Sequence, residues 1–316
     1  MALPTWQIAG GPSDRSYVDV FFKYGVGLIG PGDTGPWTPE RDADPEFDPA
    51  VKQFARDPKT GEVFLLRVGQ RTVTAIGTVA SEYVYLDQFD EVNGWDLQHG
   101  RRVRWFQFPK PQEFEKLVFG ANPPRFSRCY KAEVIDFAEK AFSSVPSSWA
   151  SERLPDLPPL EPTLDPIPSE LGALLAEIGD LLPMYWNRDT FDTLPSEDET
   201  LTHFVVPFFR ALGWPPELIA VKWRSIDVAI FDRLPRIPEN CHFVVEAKRL
   251  GSGVEGALEQ AKGYVAALGV PRDIIVTDGV RYRLYSCARA YAPVAYANLS
   301  RLKKSAIELF ERLRRA

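Results

Sequence analysis

Apolar and polar residues alternate regularly in one stretch of the C-terminal half of the chain. Isoleucine and valine occupy every second position of residues 225–231, with Asp227 among them, and a short β-rich run at 243–245 leads into Glu246 and Lys248. Both stretches are predicted to be strands, and the proline-rich connection between them is typical of a hairpin. Because residues two apart on a strand share a face, we expect Glu246 and Lys248 to project together and Asp227 to meet them from the neighbouring strand.

Helical and strand-like patterns follow one another through the rest of this half. Leucine and isoleucine recur at helical spacing, and two of the helices are expected to stop at a Gly-x-Pro sequence. The predicted helices are 169–182, 200–212, 254–268 and 300–316, and the further strands are 273–277 and 281–287. This order predicts a C-terminal α/β domain in which helices flank a mixed sheet.

The N-terminal half has a different pattern of short, β-rich runs separated by turn residues. The predicted strands are 63–68, 72–80, 83–85 and 102–108. Seven prolines then punctuate residues 143–168, which predicts an extended linker. We therefore expect three parts: a small β-barrel domain over 1–142, the linker over 143–168, and the α/β domain over 169–316.

Charge and cysteine usage narrow the function classes. The chain carries 37 Lys+Arg and 43 Asp+Glu, a net charge of −6, so nucleic-acid binding would depend on a local patch. Candidate cations in the C-terminal half are Lys222, Arg224, Arg249, Lys262, Arg281 and Arg283. Its 3 cysteines are scattered, and neither a signal sequence nor a membrane-spanning run is apparent, so the expected location is the cytoplasm, away from membranes.

Two carboxylates and a lysine at adjacent strand ends have a specific chemical use. Asp227 and Glu246 would hold a divalent cation, Mg²⁺ by preference with Mn²⁺ as a substitute, and leave positions open for water and a phosphate oxygen. Lys248 would orient or deprotonate the attacking water, or neutralise charge on the phosphate. The alternative is that these three residues are ordinary surface charges, because an E-x-K sequence is common.

Four pieces in order resemble one nuclease family. They are residues 197–200 leading into 206–214, then Asp227, then 246–248, then 260–264 followed by 277–285. Together they are similar to the PD-(D/E)xK nucleases, and specifically to the nuclease domain of type I restriction motor subunits, that is, a restriction-endonuclease-like core. No phosphate-binding loop of a motor occurs in the chain.

The resemblance assigns further roles. It implies that Glu197 joins the metal site, with Glu199 as the rival candidate, and that Gln260 and Tyr264 of a Q-x-x-x-Y motif share a helix face toward the phosphate backbone. Gln260 is accordingly grouped with the catalytic residues. Tyr264 is assigned to substrate binding. Arg249, one of the candidate cations and the residue after Lys248, is assigned to substrate binding as well.

The N-terminal half resembles a second family, less closely. Residues 61–66, 75–79, 83–85 and 100–105 are similar to the small barrels of the PUA and EVE type, which take a flipped, modified base into an aromatic pocket. The candidate linings are Trp6, Phe22, Trp37, Tyr83, Tyr85, Trp95 and Trp105. Since aromatic residues in a small barrel more often form its core, only Trp37 and Tyr83 are selected.

The expected function is a modification-dependent DNA endonuclease of prokaryotic defence, in which the barrel reads modified DNA and the C-terminal domain cuts it with Mg²⁺. One alternative makes the barrel a sensor of a small nucleotide signal that activates the nuclease. Another is a DNA-binding subunit without cleavage activity. Whether two chains pair as a homodimer to cut both strands stays open.

Overall fold

The chain forms two compact units, Met1–Leu160 and Glu161–Ala316, here called the N-terminal and C-terminal units. A computed structural model describes residues 4–11, 16–32, 35–45, 47–92, 95–186, 195–250, 254 and 257–315. The boundary between the units falls inside the segment predicted to be a linker. Of the helices in these ranges, none is both long and apolar enough to cross a membrane.

The N-terminal unit is built around one mixed sheet. Its strands are β1 Thr5–Ala9, β2 Val26–Ile29, β3 Val63–Val68, β4 Thr72–Val79, β5 Val84–Tyr85, β6 His99–Glu113 and β7 Phe126–Arg128. Its helices are α1 Val18–Tyr24, α2 Pro49–Arg56 and α3 Ala132–Ser144, with short 3-10 turns at Pro39–Ala43, Asp87–Phe89 and Ser147–Ser151. The four predicted strands are all present, and β6 is longer than predicted at both ends.

The sheet runs in the order β2-β6-β4-β3-β1-β7, with β5 paired to β6. Only β1 and β3 pair in parallel, and the other pairs are antiparallel. Within the described part of this unit, β2 and β7 are the two ends of the path and are not hydrogen-bonded to each other. The expected small barrel is therefore a curled, open half-barrel, because the strands do not close on themselves.

The proline-rich segment 143–168 is packed over much of its length. Trp149 is buried and its indole N–H donates to the carbonyl oxygen of Trp105 over 3.0 Å, and Leu157 packs against the N-terminal core. Further along, Thr163 forms a β-bridge with Lys303, and Leu164 is buried in the C-terminal core. Proline content predicted an extended backbone, but apolar residues between the prolines attach that backbone to the units.

The C-terminal unit is also a mixed sheet with helices. Its strands are β8 Ile219–Trp223, β9 Ile226–Phe231, β10 Cys241–Ala247, β11 Asp273–Thr277, β12 Arg281–Ser286 and β13 Ala292–Asn298, in the order β13-β12-β11-β10-β9-β8. Its helices are α4 Ser169–Trp186, α5 Glu197–Thr200, α6 Val206–Ala211, α7 Ala257–Leu268 and α8 Ala306–Leu313. Short 3-10 turns lie at Pro216–Leu218, Pro238–Asn240 and Cys287–Arg289.

The predicted mixed sheet with flanking helices is confirmed at this level. Strand β10 pairs with β9 in an antiparallel and with β11 in a parallel arrangement. Helix α7 contacts β10 and β11, and α4 contacts α6. The ring of Phe208 on α6 stacks on Tyr282 of β12 with centroids 4.0 Å apart, which attaches this helix to the sheet.

The helix predicted over 200–212 is interrupted. A π-helical turn at Leu201–Val205 joins α5 to α6, and the Val206 N–H donates to the carbonyl oxygen of Leu201, five residues earlier. Pro207 follows directly and has no N–H to continue the regular pattern, so the preceding turn widens. The helix also begins earlier than predicted, at Glu197, and this extension carries Glu197 itself.

Candidate active site

The hairpin of β9 and β10 places two carboxyl groups side by side. Val228 pairs with Val245 in the antiparallel register, so the next opposed pair is Asp227 and Glu246. The backbone N–H of Ala247 donates to Asp227 Oδ2 over 2.9 Å, which fixes the orientation of that carboxylate. Asp227 is 5% exposed and Glu246 is fully buried, so the interpretation of these residues as ordinary surface charges does not hold.

Glu246 has one partnered oxygen and one without a partner. Its Oε1 accepts a hydrogen bond from Lys248 Nζ over 2.5 Å, while no described residue donates a hydrogen bond to the buried Oε2. Burial raises the pKa of Glu246 to about 7; Lys248 opposes this rise, and the charge of Asp227 adds to it. A buried carboxylate oxygen without a partner is unfavourable, and a bound cation would satisfy it.

Lys248 connects the acids to α7. Its ammonium donates to Gln260 Oε1 over 2.9 Å, and the Gln260 amide donates to the Tyr264 hydroxyl over 2.7 Å. Burial alone would lower the pKa of Lys248, but the hydrogen bond and the charge of Glu246 outweigh it, so the pKa is raised. Lys248 is thus held as an ammonium, which favours charge stabilisation over deprotonation of water.

Glu197 and Glu199, the two rival acids, have different surroundings. Glu199 forms a capping box with Ser196: its carboxylate accepts from the Ser196 N–H over 2.7 Å, and the Ser196 hydroxyl accepts from the Glu199 N–H. Glu197 instead faces the acid cluster, and its Oε1 lies 3.3 Å from Lys222 Nζ. The geometry therefore groups Glu197 with Asp227 and leaves Glu199 to stabilise the helix start.

Lys222 is the site residue that sequence reasoning did not select. Its Nζ lies 2.8 Å from Asp227 Oδ1 and bridges it to Glu197. Burial alone would lower the pKa of Lys222, but the hydrogen bond and the charge of Asp227 raise it. Lys222 had been assigned only to a general group of cations.

The turn between β8 and β9 places Lys222 in the site. Arg224 and Ser225 are the two central residues of a tight turn between Trp223 and Ile226, with φ of 50° and 69°. Counting outward from a two-residue turn places Lys222 opposite Asp227. Lys222 thus carries a positive charge directly across the strand pair from the proposed metal ligand Asp227, where the two side chains can interact.

The residues fit a divalent cation in chemistry and burial. Asp227 and Glu246 supply hard oxygen donors, and Glu246 Oε2 is a buried acceptor that needs a partner. Across the described ranges, no group of three or more His, Cys, Asp or Glu side chains is arranged to hold a metal ion. Two side-chain ligands would leave the other positions for water and substrate oxygens.

The predicted cation patch is smaller in the structure. Arg281 and Arg283 are buried, and Arg281 pairs with Asp278 over 2.8 Å, so neither belongs to an exposed surface. Arg249 is exposed, and its Nε donates to the carbonyl oxygen of Pro195 over 3.0 Å. Among the residues chosen for substrate binding in this unit, Arg249 and Tyr264 remain accessible to a phosphate backbone.

In the N-terminal unit, Trp37 and Tyr83 lie in contact. Their rings meet edge to face with centroids 5.9 Å apart, so a base cannot be sandwiched between them. The Tyr83 hydroxyl accepts from the Trp37 N–H over 2.9 Å and lies 2.8 Å from His99 Nδ1, and His99 Nε2 lies 2.8 Å from the carbonyl oxygen of Pro31. The carbonyl requires a donor, so His99 carries its proton on Nε2 and accepts from Tyr83.

The other aromatic candidates take several positions. Trp105 donates to the Val26 carbonyl oxygen over 2.7 Å and packs on Phe22, as a core residue would. Tyr85 donates to the Gly32 carbonyl oxygen beside His99, and Trp95 packs against the same core. Trp6 is also buried, but it lines a cleft on another part of the unit.

Comparison with known proteins gives a match over only part of the N-terminal unit. Residues 35–124 match a family model described as a domain of unknown function, DUF8426. The matched range includes Trp37, Tyr83 and His99, and it excludes the acid cluster of the C-terminal unit. No curated protein and no solved structure matches the chain significantly.

Proposed function

We propose that the chain is a Mg²⁺-dependent phosphodiesterase that cuts DNA, with its active site at Asp227, Glu246 and Lys248. One observation carries this proposal: two buried carboxylates meet at adjacent strand ends, one with an unpartnered oxygen, beside a lysine held as an ammonium. Lys222 and Lys248 pair with the two acids, but burying these charges costs desolvation free energy and still leaves Glu246 Oε2 without a donor. A bound cation would supply the missing partner.

Each residue has a definite part in the proposed reaction. The bound cation would polarise a phosphate oxygen and lower the pKa of a water molecule. Asp227, oriented by the Ala247 N–H, and Glu246 would hold that cation. Lys248, oriented by Gln260, would donate to the phosphate oxygens as their negative charge grows.

DNA that carries a modified base is the proposed substrate, and the N-terminal unit is the proposed reader. The resemblance to PUA and EVE barrels and the partly exposed Trp37 and Tyr83 support this assignment. The contact between the two rings means that a flipped base would stack on an outer ring face. The Tyr83–His99 hydrogen bond would hold Tyr83 in place for that contact.

Incubation with plasmid DNA tests the proposal. Matched plasmids with unmodified cytosine, 5-methylcytosine and 5-hydroxymethylcytosine are incubated with the protein, with Mg²⁺, Mn²⁺ or EDTA. Cleavage only with a divalent ion, faster on one modified plasmid, is the expected result. Cleavage that continues in EDTA would contradict the metal site, and equal rates on all plasmids would contradict the reader.

A further inference from the structure

A cleft lies in the N-terminal unit, and neither Trp37 nor Tyr83 lines it. This open cleft of about 370 Å³ is lined by residues of β1, α2, β7 and the loop after α2. Trp6 forms its buried wall, with the indole N–H donating to Glu62 over 2.7 Å and the ring stacked on Phe126 at 5.4 Å. The wall is thus held rigidly.

Tyr130 and Arg128 also line the cleft. Tyr130 is 77% exposed, which is unusual for a large aromatic side chain. The guanidinium carbon of Arg128 lies 5.7 Å from the centroid of each of the Trp6 and Tyr130 rings, so the cation lies between the two. An exposed ring beside a cation is the arrangement on which nucleic-acid bases stack.

Positive charge in the cleft is only partly neutralised. Arg56 pairs with Asp57 over 2.7 Å and with Asp42 over 3.2 Å. Among the described residues, no carboxylate pairs with the Arg128 guanidinium or with the Lys59 ammonium. Glu62 also lines the cleft, and its carboxylate accepts from the Lys59 backbone N–H and the Trp6 indole. Two such cations beside the exposed Tyr130 ring favour a ligand that has both an anionic group and a planar ring.

We infer that this cleft binds a nucleotide, with its base stacked on Tyr130 and its phosphate held by Arg128 and Lys59. The ligand is either one unit of a nucleic-acid strand or a free nucleotide, since both offer a base and a phosphate. The inference goes beyond the proposed nuclease site and does not depend on cleavage.

Binding in EDTA, which suppresses metal-dependent cleavage, tests the cleft in the full chain. The probes are a fluorescein-labelled single-stranded tetranucleotide and adenosine monophosphate, measured by anisotropy and by calorimetry. For the probe that binds, Tyr130→Ala and Arg128→Gln should each weaken binding at least about fivefold, whereas Tyr130→Phe keeps the ring and should bind as wild type does. Arg71→Gln, an exposed arginine outside the cleft, is the matched control.

The two probes distinguish the source of the ligand. Tetranucleotide binding alone assigns the cleft to a strand, and binding of both probes assigns it to a nucleotide in either form. Binding of adenosine monophosphate alone assigns it to a free nucleotide. Crosslinking of a 5-iodouracil tetranucleotide to the peptide that contains Tyr130 locates the strand contact. Failure of both probes to bind the wild type, or wild-type affinity in either Tyr130→Ala or Arg128→Gln, would overturn the inference.

Discussion

At the residue scale, Lys222 is the unexpected feature of the site, because its ammonium lies where a cation would contact Asp227. We predict that Lys222→Met destabilises the protein in EDTA, since Asp227 and Glu246 then repel each other with less compensation. The gain in Tm on adding Mg²⁺ should be larger than in wild type. Thermal melting with and without Mg²⁺ measures both effects.

Lys262→Met is the control, because Lys262 is another partly exposed lysine of this unit and forms an ion pair with Glu259 on its own helix, away from Asp227 and Glu246. It should change neither Tm nor the Mg²⁺ response appreciably. An equal Mg²⁺-induced gain in Lys222→Met and wild type would show that Lys222 does not compete with the ion.

His99 makes the stability of the N-terminal unit depend on pH. Burial lowers its pKa from 6.5 to about 4, so the unfolded chain binds a proton below pH 6.5 that the folded chain does not. Stability should therefore fall as pH falls from about 6.5 to about 4, by about 2 kcal/mol at pH 5 relative to pH 7. Urea unfolding at several pH values measures this loss.

His99→Gln should lose stability at pH 7 but show a flatter profile through this window. His203→Gln, at an exposed histidine of the C-terminal unit, should leave the profile unchanged. A wild-type slope that persists in His99→Gln would assign the pH dependence to other groups.

At the scale of elements, alternation predicted β9, and short apolar runs predicted the neighbouring strands β10 and β11. Strands β9, β10 and β11 were located because apolar runs and turn residues bound them clearly. The edge strand β13 escaped prediction because Pro293 and three alanines give it no alternating pattern. Strand β1 is buried along its whole length and is only five residues long, so periodicity alone does not identify it.

Contacts within the site were harder to predict than its members. The sequence paired Asp227 with Glu246, but the capping role of Glu199 depends on where α5 begins. The position of Lys222 depends on the type of the β8–β9 turn, and neither Arg224 nor Ser225 is a usual residue for that turn. The roles of Glu199 and Lys222 therefore follow from the local backbone geometry and could not be predicted from residue type alone.

The turn itself yields a prediction about stability. Ser225 has a φ of 69°, in the left-handed region that favours glycine. Ser225→Gly should therefore stabilise the protein by about 1 kcal/mol. Ser286→Gly is the control. Ser286 has an extended backbone with φ of −91°, so its replacement by glycine should destabilise the protein. Urea unfolding compares the two, and destabilisation by Ser225→Gly would contradict the assigned turn.

At the scale of the whole molecule, the unit boundary predicts which fragments are stable. A fragment that begins at Glu161 keeps Leu164 in the core and the bridge from Thr163 to Lys303. A fragment that begins at Ser169 loses both and should unfold at a lower temperature. Equal Tm values for the two fragments would show that residues 161–168 contribute nothing to this unit.

The two units also predict a division of labour under the proposed function. The fragment from Glu161 should cut DNA weakly and without regard to modification, because it lacks the proposed reader. Met1–Leu160 should bind DNA and cut none. If the isolated C-terminal unit still cleaves a modified plasmid preferentially, as the full chain is expected to do, the N-terminal unit is not the reader.

Single-turnover cleavage of a labelled DNA duplex with Mg²⁺ tests the central claim most directly. Glu246→Gln keeps the shape of the side chain but removes the charge that would hold the ion, so cleavage should fall by at least about a hundredfold. Asp232→Asn, at an exposed acid just beyond β9, should cut as wild type does. Cleavage by Glu246→Gln at the wild-type rate would contradict the claim that Asp227 and Glu246 form a metal-dependent active site.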